Sequence, residues 1–458
     1  RQLQAQLGDQ PQVLLDLSVS LSKLGDAERD TGHAEAALSA YRESLAIRRQ
    51  LRAQLGDQPQ VLSGLSVSLS KLGDAESYAG RAEAALLAYR ESLAIRRQLR
   101  AQLGDQPQIL RDLSVSLINL GEAERDAGRA EVALLAYRES LAIRRQLREQ
   151  LGDQPQLLRD LGVSLSRLGD AERDAGRAEA ALSAYRESLA MCRQLHAQLG
   201  DQPHVLRVLG VSLSKLGDVE RDAGRVEAAL SAYLESLAIR RQLHAQLGDQ
   251  PQVLRDLGVS LERLGDAERD AGHAEATLSA YRESLAIRRQ LHAQLGDQPQ
   301  VLRDLSISLG RLGDAERGAG RAEAGLSAYR ESLAIDRQLL AQLGDQPPVL
   351  QYLSISLGRL GDAERDAGQA EAALSAYRES LAIRQQLQAQ LGDQPQVLDA
   401  LAVSYERIAS LLKDDDSLEA LENALMLRRR LVDAMPDTPY YRQRLASIEA
   451  LKFSKKPH

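Results

Sequence analysis

The chain has 458 residues, 43% of them hydrophobic but only 3% aromatic, with no tryptophan and one phenylalanine. A core built around large rings is thereby excluded, and alanine and leucine must do the packing. Lys and Arg number 58 against 65 Asp and Glu, a formal charge of −7 with both signs spread along the chain; a nucleic-acid surface needs a one-sided basic field, so none is expected.

The single cysteine, Cys192, excludes an internal disulfide framework and an all-cysteine metal site, and it fits a reducing compartment. No run reaches the roughly 18 apolar residues of a membrane span, and no signal peptide precedes the first unit. No membrane partner and a cytoplasmic location are therefore expected. The opening RQLQAQLGDQ matches RQLRAQLGDQ at 49–58. Residues 1–10 read as the end of a truncated preceding repeat, and the chain as a fragment of a longer protein.

Proline then supplies a ruler. Pro11, Pro59, Pro107, Pro155, Pro203, Pro251, Pro299, Pro347 and Pro395 recur every 48 residues, so residues 11–394 divide into eight units. In each, a first helix is expected to start at Asp9-Gln10-Pro11, with Asp or Gln capping and Pro in the first turn. Leu14, Leu17, Leu21 and Leu24 form its buried stripe. Gly32 stops it in a left-handed conformation. A second helix carries Ala37, Leu38, Tyr41, Leu45, Leu51 and Leu55, and Gly56 ends it. These stops rule out a continuous coiled coil. One helix pair buries too little to offset its ordering entropy, whereas stacked pairs bury enough.

Residues 395–435 form a divergent ninth unit. LMLRRRL at 425–431 corresponds to LAIRQQL at 381–387, only 44 residues earlier, so about one turn is deleted. Asp416 or Ser417 is expected to cap its second helix; Asp414, Asp415 and Asp416 read as capping residues rather than a metal site. Residues 436–458 read as a capping helix, near 439–453, and a basic tail with Lys452, Lys455 and Lys456.

The stretch GHAEAALSAYRESLAI at 32–47, with Leu24-Gly25 before it, resembles the tetratricopeptide repeat. Gly32, Ala37, Tyr41 and Leu45 stand where that family has its turn glycine, tight-packing alanine, aromatic and following apolar residue, and the match recurs in eight units. The resemblance implies an all-α, right-handed α-solenoid of stacked antiparallel helix pairs. The units are 14 residues longer than the family's usual 34, the proline expected at the end of the second helix is missing, and Glu28 replaces an expected aromatic. Long, near-identical repeats of this kind resemble those attached to bacterial signalling proteins, where an effector domain precedes them. A sensing or docking role is implied.

No Walker A, G-x-S-x-G or H-E-x-x-H motif is present, and no nucleophile–base constellation is visible, so neither an enzyme nor a cofactor is expected. His196, His244 and His292 share one position in consecutive units. Equivalent positions in stacked helices lie on the order of 10 Å apart, whereas a shared metal needs ligands at roughly 2 Å; they read as solvated surface histidines. The position of Cys192 holds Arg48 and Asp336 in other units, which suggests a partly exposed site.

The resemblance further implies that the first helices line a concave ligand groove. On a helical wheel the face opposite the leucine stripe carries position 15, Val19, Ser22 and Asp26. Position 15 becomes Arg111, Arg159, Arg207, Arg255 and Arg303. Val19 recurs as Val115, Val163, Val211 and Val259, Asp26 as Asp170, Asp218 and Asp266, and Ser22 becomes Glu262. These residues are the groove candidates: an apolar ladder for burial, flanked by charges that set the register of a protein or peptide ligand. The competing reading packs the valines against neighbouring first helices and spends Asp26 on an i,i+3 pair with Arg29. A second functional reading is a self-associating or autoinhibitory scaffold that packs on itself or on an effector domain in the same full-length chain.

Glu28 falls within the leucine stripe, where an unpaired carboxylate is costly. A hydrogen bond from Tyr41 is the expected compensation.

Overall fold

A computed structural model describes residues 10–455; the opening segment assigned above to a preceding repeat lies outside them, apart from Gln10, and so does Lys456. The first helices are Pro11–Asp30, Pro59–Tyr78, Pro107–Asp126, Pro155–Asp174, Pro203–Asp222, Pro251–Asp270, Pro299–Gly318, Pro347–Asp366 and Pro395–Leu411. The second helices are Ala34–Leu55, Ala82–Leu103, Ala130–Leu151, Ala178–Leu199, Val226–Leu247, Ala274–Leu295, Ala322–Leu343, Ala370–Leu391 and Asp414–Ala434, followed by a terminal helix Pro439–Lys455. No strand occurs among the described residues, and none of their helices is long and apolar enough to cross a membrane. The fold is an all-α solenoid of antiparallel helix pairs that pack on their neighbours within each of two units. It divides into two compact units, one ending at Ile239 and the other beginning at Arg240.

Local chemistry sets these boundaries. Each first helix starts on its proline, which brings no N–H to satisfy. The preceding Gln10 is extended and makes no side-chain cap, so the expected cap is not used. At the other end Gly32 takes φ 83°. The His33 N–H then donates to the Glu28 carbonyl at 2.8 Å and the Gly32 N–H to the Arg29 carbonyl at 3.0 Å, closing the last turn as a left-handed glycine allows.

Burial follows the stacking of pairs. Ala37, Leu38 and Tyr41 of one second helix pack with Leu72 and Ala75 of the next first helix. In the first pair Leu24 is 50% exposed, because no preceding second helix covers it among the described residues; its equivalents Leu120, Leu264, Leu312 and Leu360 are buried. In the second unit the array ends on the terminal helix, whose Ile448 packs against Ala420, Leu421 and Ala424. The preceding helix starts at Asp414, with Lys413 before it. Asp416 and Ser417 therefore lie inside its first turn rather than capping it, and the Ser417 hydroxyl donates to the Ala409 carbonyl at 2.9 Å.

Candidate functional site

The valine row of the first helices faces outward. Val19, Val67, Val115, Val163, Val211 and Ile355 are exposed, Val115 at 45%; Val259 and Ile307 are half-buried. First helices pack chiefly on second helices and meet one another only lightly. That arrangement leaves the row open and removes the reading in which neighbouring first helices bury it.

One turn upstream, Arg111, Arg159 and Arg303 are half-buried and Arg207 is exposed. None of these four makes an ion pair among the described residues, and the Nε atoms of Arg111 and Arg159 are buried without a hydrogen-bond partner. Arg255 donates to Gln252 at 3.2 Å. On the second helices, by contrast, Arg49, Arg97, Arg145 and Arg193 each reach a glutamate of the next pair, Glu91, Glu139, Glu187 and Glu235.

The acidic candidates are engaged within the fold. Tyr41 Oη donates to Asp26 at 2.7 Å, and Lys71 of the next first helix approaches the same carboxylate at 2.5 Å. Burial opposes its charge, but Lys71 and Tyr41 together hold Asp26 below the ordinary carboxylate range. Asp170 repeats this with Tyr185 and Lys215, and Asp266 with Tyr281 and Arg311; Asp218 accepts from Tyr233. Asp74 also accepts from Tyr89. The position equivalent to Lys71 in the following pair is Asn119, and burial pushes the Asp74 carboxyl up. Glu262 is likewise occupied: it accepts from Ser284 and from Arg288 Nε, both at 3.1 Å.

The expected Glu28–Tyr41 bond is therefore wrong in its partner: the tyrosine serves the aspartate two residues earlier. Glu28 itself pairs with His33 at 2.9 Å. Its equivalents do belong to the buried seam, as the leucine stripe implies. Glu76, Glu124 and Glu172 are buried, and each takes an arginine from the preceding second helix: Arg42, Arg90 and Arg138, all at 2.6 Å. A second arginine from the following turn, Arg129 for Glu124, closes on the other oxygen at 3.2 Å. Arginine reaches these carboxylates with its head still partly in water, which explains why a glutamate can replace an aromatic here.

The Tyr–Asp bond has an internal control. In the third pair Glu122 replaces the aspartate and Tyr137 Oη is buried without a partner. Tyr185→Phe is expected to cost about 1.5–3 kcal/mol of unfolding free energy, the range for a hydrogen bond to a charged group. Tyr137→Phe should be near neutral. Hydrogen-exchange protection of the helices around each tyrosine checks this; equal losses would contradict it.

Sequence reasoning missed a further row. The position of Cys192 is buried rather than partly exposed in all but the first pair: Cys192 is 3% accessible, Arg96, Arg144, Arg240, Arg288, Asp336 and Arg384 are also buried, and Arg48 is half-buried. Each such arginine points to the residue 16 places on, in the next first helix. Arg96 meets Asp112 at 2.7 Å, Arg240 meets Asp256 at 2.9 Å, and Arg288 meets Asp304 at 3.1 Å. Where the arginine is lost the aspartate is lost too: Cys192 faces Val208 in one cluster, and Asp336, paired in sequence with Tyr352, instead accepts from Ser306 and Ser356. This paired change is visible in the sequence and was the available signal. Arg384, whose sixteenth residue is Ala400, has no such partner, and burial together with Arg407 pushes it down to about 10.

His196, His244 and His292 each bond through Nε2 to the aspartate five residues on, Asp201, Asp249 and Asp297, at 2.6–2.7 Å. Arg100–Asp105 holds the same position in another unit, where the arginine keeps the aspartate down at about 2. Among the described residues no group of three or more potential ligands is placed to hold a metal. A cavity of about 580 Å³ lies away from the valine row, against the terminal helix, where its charges are paired as Arg429–Glu449 and Lys452–Glu422.

A tetratricopeptide repeat profile matches residues 17–52, 114–149, 161–198, 209–246 and 355–387. Each match enters in a first helix and leaves in the second helix of the same pair. These five stretches are tetratricopeptide repeats. Among solved structures, the array is similar to the apo form of RapI at 13% identity, covering 91% of this chain and 99% of that one with a TM-score of 0.55. It also matches BtubC from P. vanneervenii at 22% identity, over 57% of this chain and 92% of that one, TM-score 0.45. A signal transduction ATPase with a tetratricopeptide repeat sensor from Pyrococcus horikoshii matches at 14% identity over 87% of this chain, TM-score 0.49; the match spans 54% of that protein. At 13% identity the likeness to RapI is one of fold. Comparison with curated proteins gives no match.

Proposed function

We propose that the tetratricopeptide array is a non-enzymatic interaction module that binds an acidic peptide or protein segment along the exposed valine row. The observation that carries this reading is the pairing, in the first unit, of Val115, Val163 and Val211 with Arg111, Arg159 and Arg207, which have no carboxylate partner among the described residues. Exposed aliphatic side chains offer burial, and unpaired guanidinium groups offer register and attraction to carboxylates. The acidic residues of the same face are held by tyrosines and by cations of the next pair, so they do not neutralise the arginines. The long, near-identical repeats support a place for the array as the docking or sensing region of a larger bacterial signalling protein in the cytoplasm.

The test is selection of a displayed random-peptide library on the full chain. Enriched peptides are expected to be acidic, with spaced aliphatic or aromatic residues. The combined variant Arg111→Glu, Arg159→Glu, Arg207→Glu should weaken a selected peptide at least tenfold by fluorescence anisotropy, with unchanged helical circular dichroism. Unchanged affinity would remove the assignment of ligand binding to this face.

A further inference from the structure

One break in the buried arginine row, at Cys192, coincides with a cavity on the valine face. Between the fourth and fifth helix pairs a pocket of about 430 Å³ is lined by Gly162, Val163, Cys192, Arg207, Val208 and Val211, with Arg167 and Lys215 on its rim. In three other places, Arg96, Arg240 and Arg288, the arginine of the second helix crosses this layer to an aspartate of the next first helix. Cys192 and Val208 pack in one cluster but are shorter than the arginine and aspartate they replace, and Gly162 contributes no side chain. The hydroxyls on the floor are already used, Ser188 donating to the Gly162 carbonyl at 2.9 Å and Ser212 to Ser188 at 3.5 Å.

The mouth lies on the face assigned to ligand. Val163 and Val211 are exposed beside it. Of its cations, Arg167 is paired with Glu122 and Lys215 with Asp170, whereas Arg207 has no carboxylate among the described residues. We infer that this cavity is the anchor pocket for one aromatic side chain of an acidic segment lying on the valine row, with a carboxylate of that segment on Arg207. The inference rests on the function proposed above and assigns its specificity. A volume of this size falls within the range of ordinary ligand pockets and exceeds what one small aliphatic chain fills. Aromatic anchors seated in a desolvated central pocket carry a large share of peptide-binding energy. The surrounding valines favour an occupant longer than the pocket, which is why a peptide rather than a small hydrophobic acid fits.

The decisive variant refills the pocket with the pair the array uses elsewhere: Cys192→Arg with Val208→Asp. It recreates the arrangement of Arg96–Asp112 and Arg240–Asp256, so it should fold, and it leaves Val163, Val211 and Arg207 in place. The probes are two fluorescein-labelled dodecapeptides rich in glutamate, one with a central phenylalanine and one with alanine there, read by anisotropy on the full chain. The phenylalanine peptide should bind the native chain at least tenfold more tightly, and this advantage should vanish in the double variant while weak, salt-sensitive binding of both peptides persists. Arg207→Glu should weaken both peptides. Equal binding of the two peptides to the native chain overturns the pocket but leaves the charged face standing, as does an advantage that survives the double variant. Binding of neither peptide overturns both. Displacement of the phenylalanine peptide by phenylacetate alone would assign the cavity to a small acid and overturn the peptide anchor.

Discussion

Arg428→Ala is expected to cost about 3–5 kcal/mol, the penalty for removing one partner of a buried ion network. Arg428 is 0% exposed. Its Nε donates to Glu406 Oε1 at 2.9 Å, and its Nη1 pairs with Asp399. Burial opposes the guanidinium charge, yet Glu406 and Asp399 hold it above its ordinary value. Glu406 is bound from its other side by Arg444 of the terminal helix. Alanine would leave two largely buried carboxylates facing a void, and Arg444 alone could not serve both. The damage should reach the terminal helix, because Arg444 and Arg428 share that carboxylate. Repeat arrays do not unfold as one cooperative body, so the measurement is hydrogen exchange resolved by helix. Protection should fall over 395–411, 414–434 and 439–455 and stay unchanged before Ile239. Arg429→Ala is the control: its pair with Glu449 is exposed and should be worth no more than about 1 kcal/mol. Equal losses for the two variants would show that the network carries no special weight.

Arg428 also illustrates what the sequence makes legible. The period, the helix pairs, the left-handed glycine stops and the shortened ninth unit follow from proline, glycine and leucine spacing, because each acts within one or two turns. The outward valine row follows from a helical wheel for the same reason. Partner identity does not. Glu76 meets Arg42 across 34 residues, Lys71 meets Asp26 across 45, and Arg96 meets Asp112 across 16. Those pairings depend on how far one pair rotates against the next, which no single helix encodes. Position alone therefore assigned Tyr41 to Glu28, although its hydroxyl lies on Asp26. It also makes the Cys192 position partly exposed, because arginine and aspartate are rarely buried. The signal that corrects the second reading is the joint change of Cys192 with Val208 and of Asp336 with Tyr352. A site that changes together with another is a contact.

Gly169→Ala is expected to destabilise the array by a net of about 2 kcal/mol, although alanine is the better helix former by ~1 kcal/mol. A Cβ on Gly169 would stand 2.7 Å from Tyr185 Cε1, with Cδ1 and Cζ at 2.9 Å. At that separation the ring must move or the helices must part, and overpacking of this kind costs roughly 1–3 kcal/mol or more. The ring is not free to move, since its hydroxyl is tied to Asp170 at 2.6 Å and Asp170 is in turn held by Lys215. Glycine here is a condition for the close approach of two helices rather than a flexible joint. The same molecule supplies two comparisons. Gly318, at the end of its helix, has nothing within 4 Å of an added Cβ, so Gly318→Ala should be neutral or stabilise by up to ~1 kcal/mol. Gly121 faces Tyr137 at 2.6 Å, but that hydroxyl has no partner. Its ring can yield without breaking a bond to a carboxylate, and Gly121→Ala should cost measurably less than Gly169→Ala. The coupling can be read directly by repeating Gly169→Ala in a Tyr185→Phe background, where the two losses should sum to more than the double variant shows. Strict additivity, together with equal costs at Gly121 and Gly169, would mean that the Tyr–Asp tether does not restrain the ring and that backbone proximity alone sets the requirement for glycine.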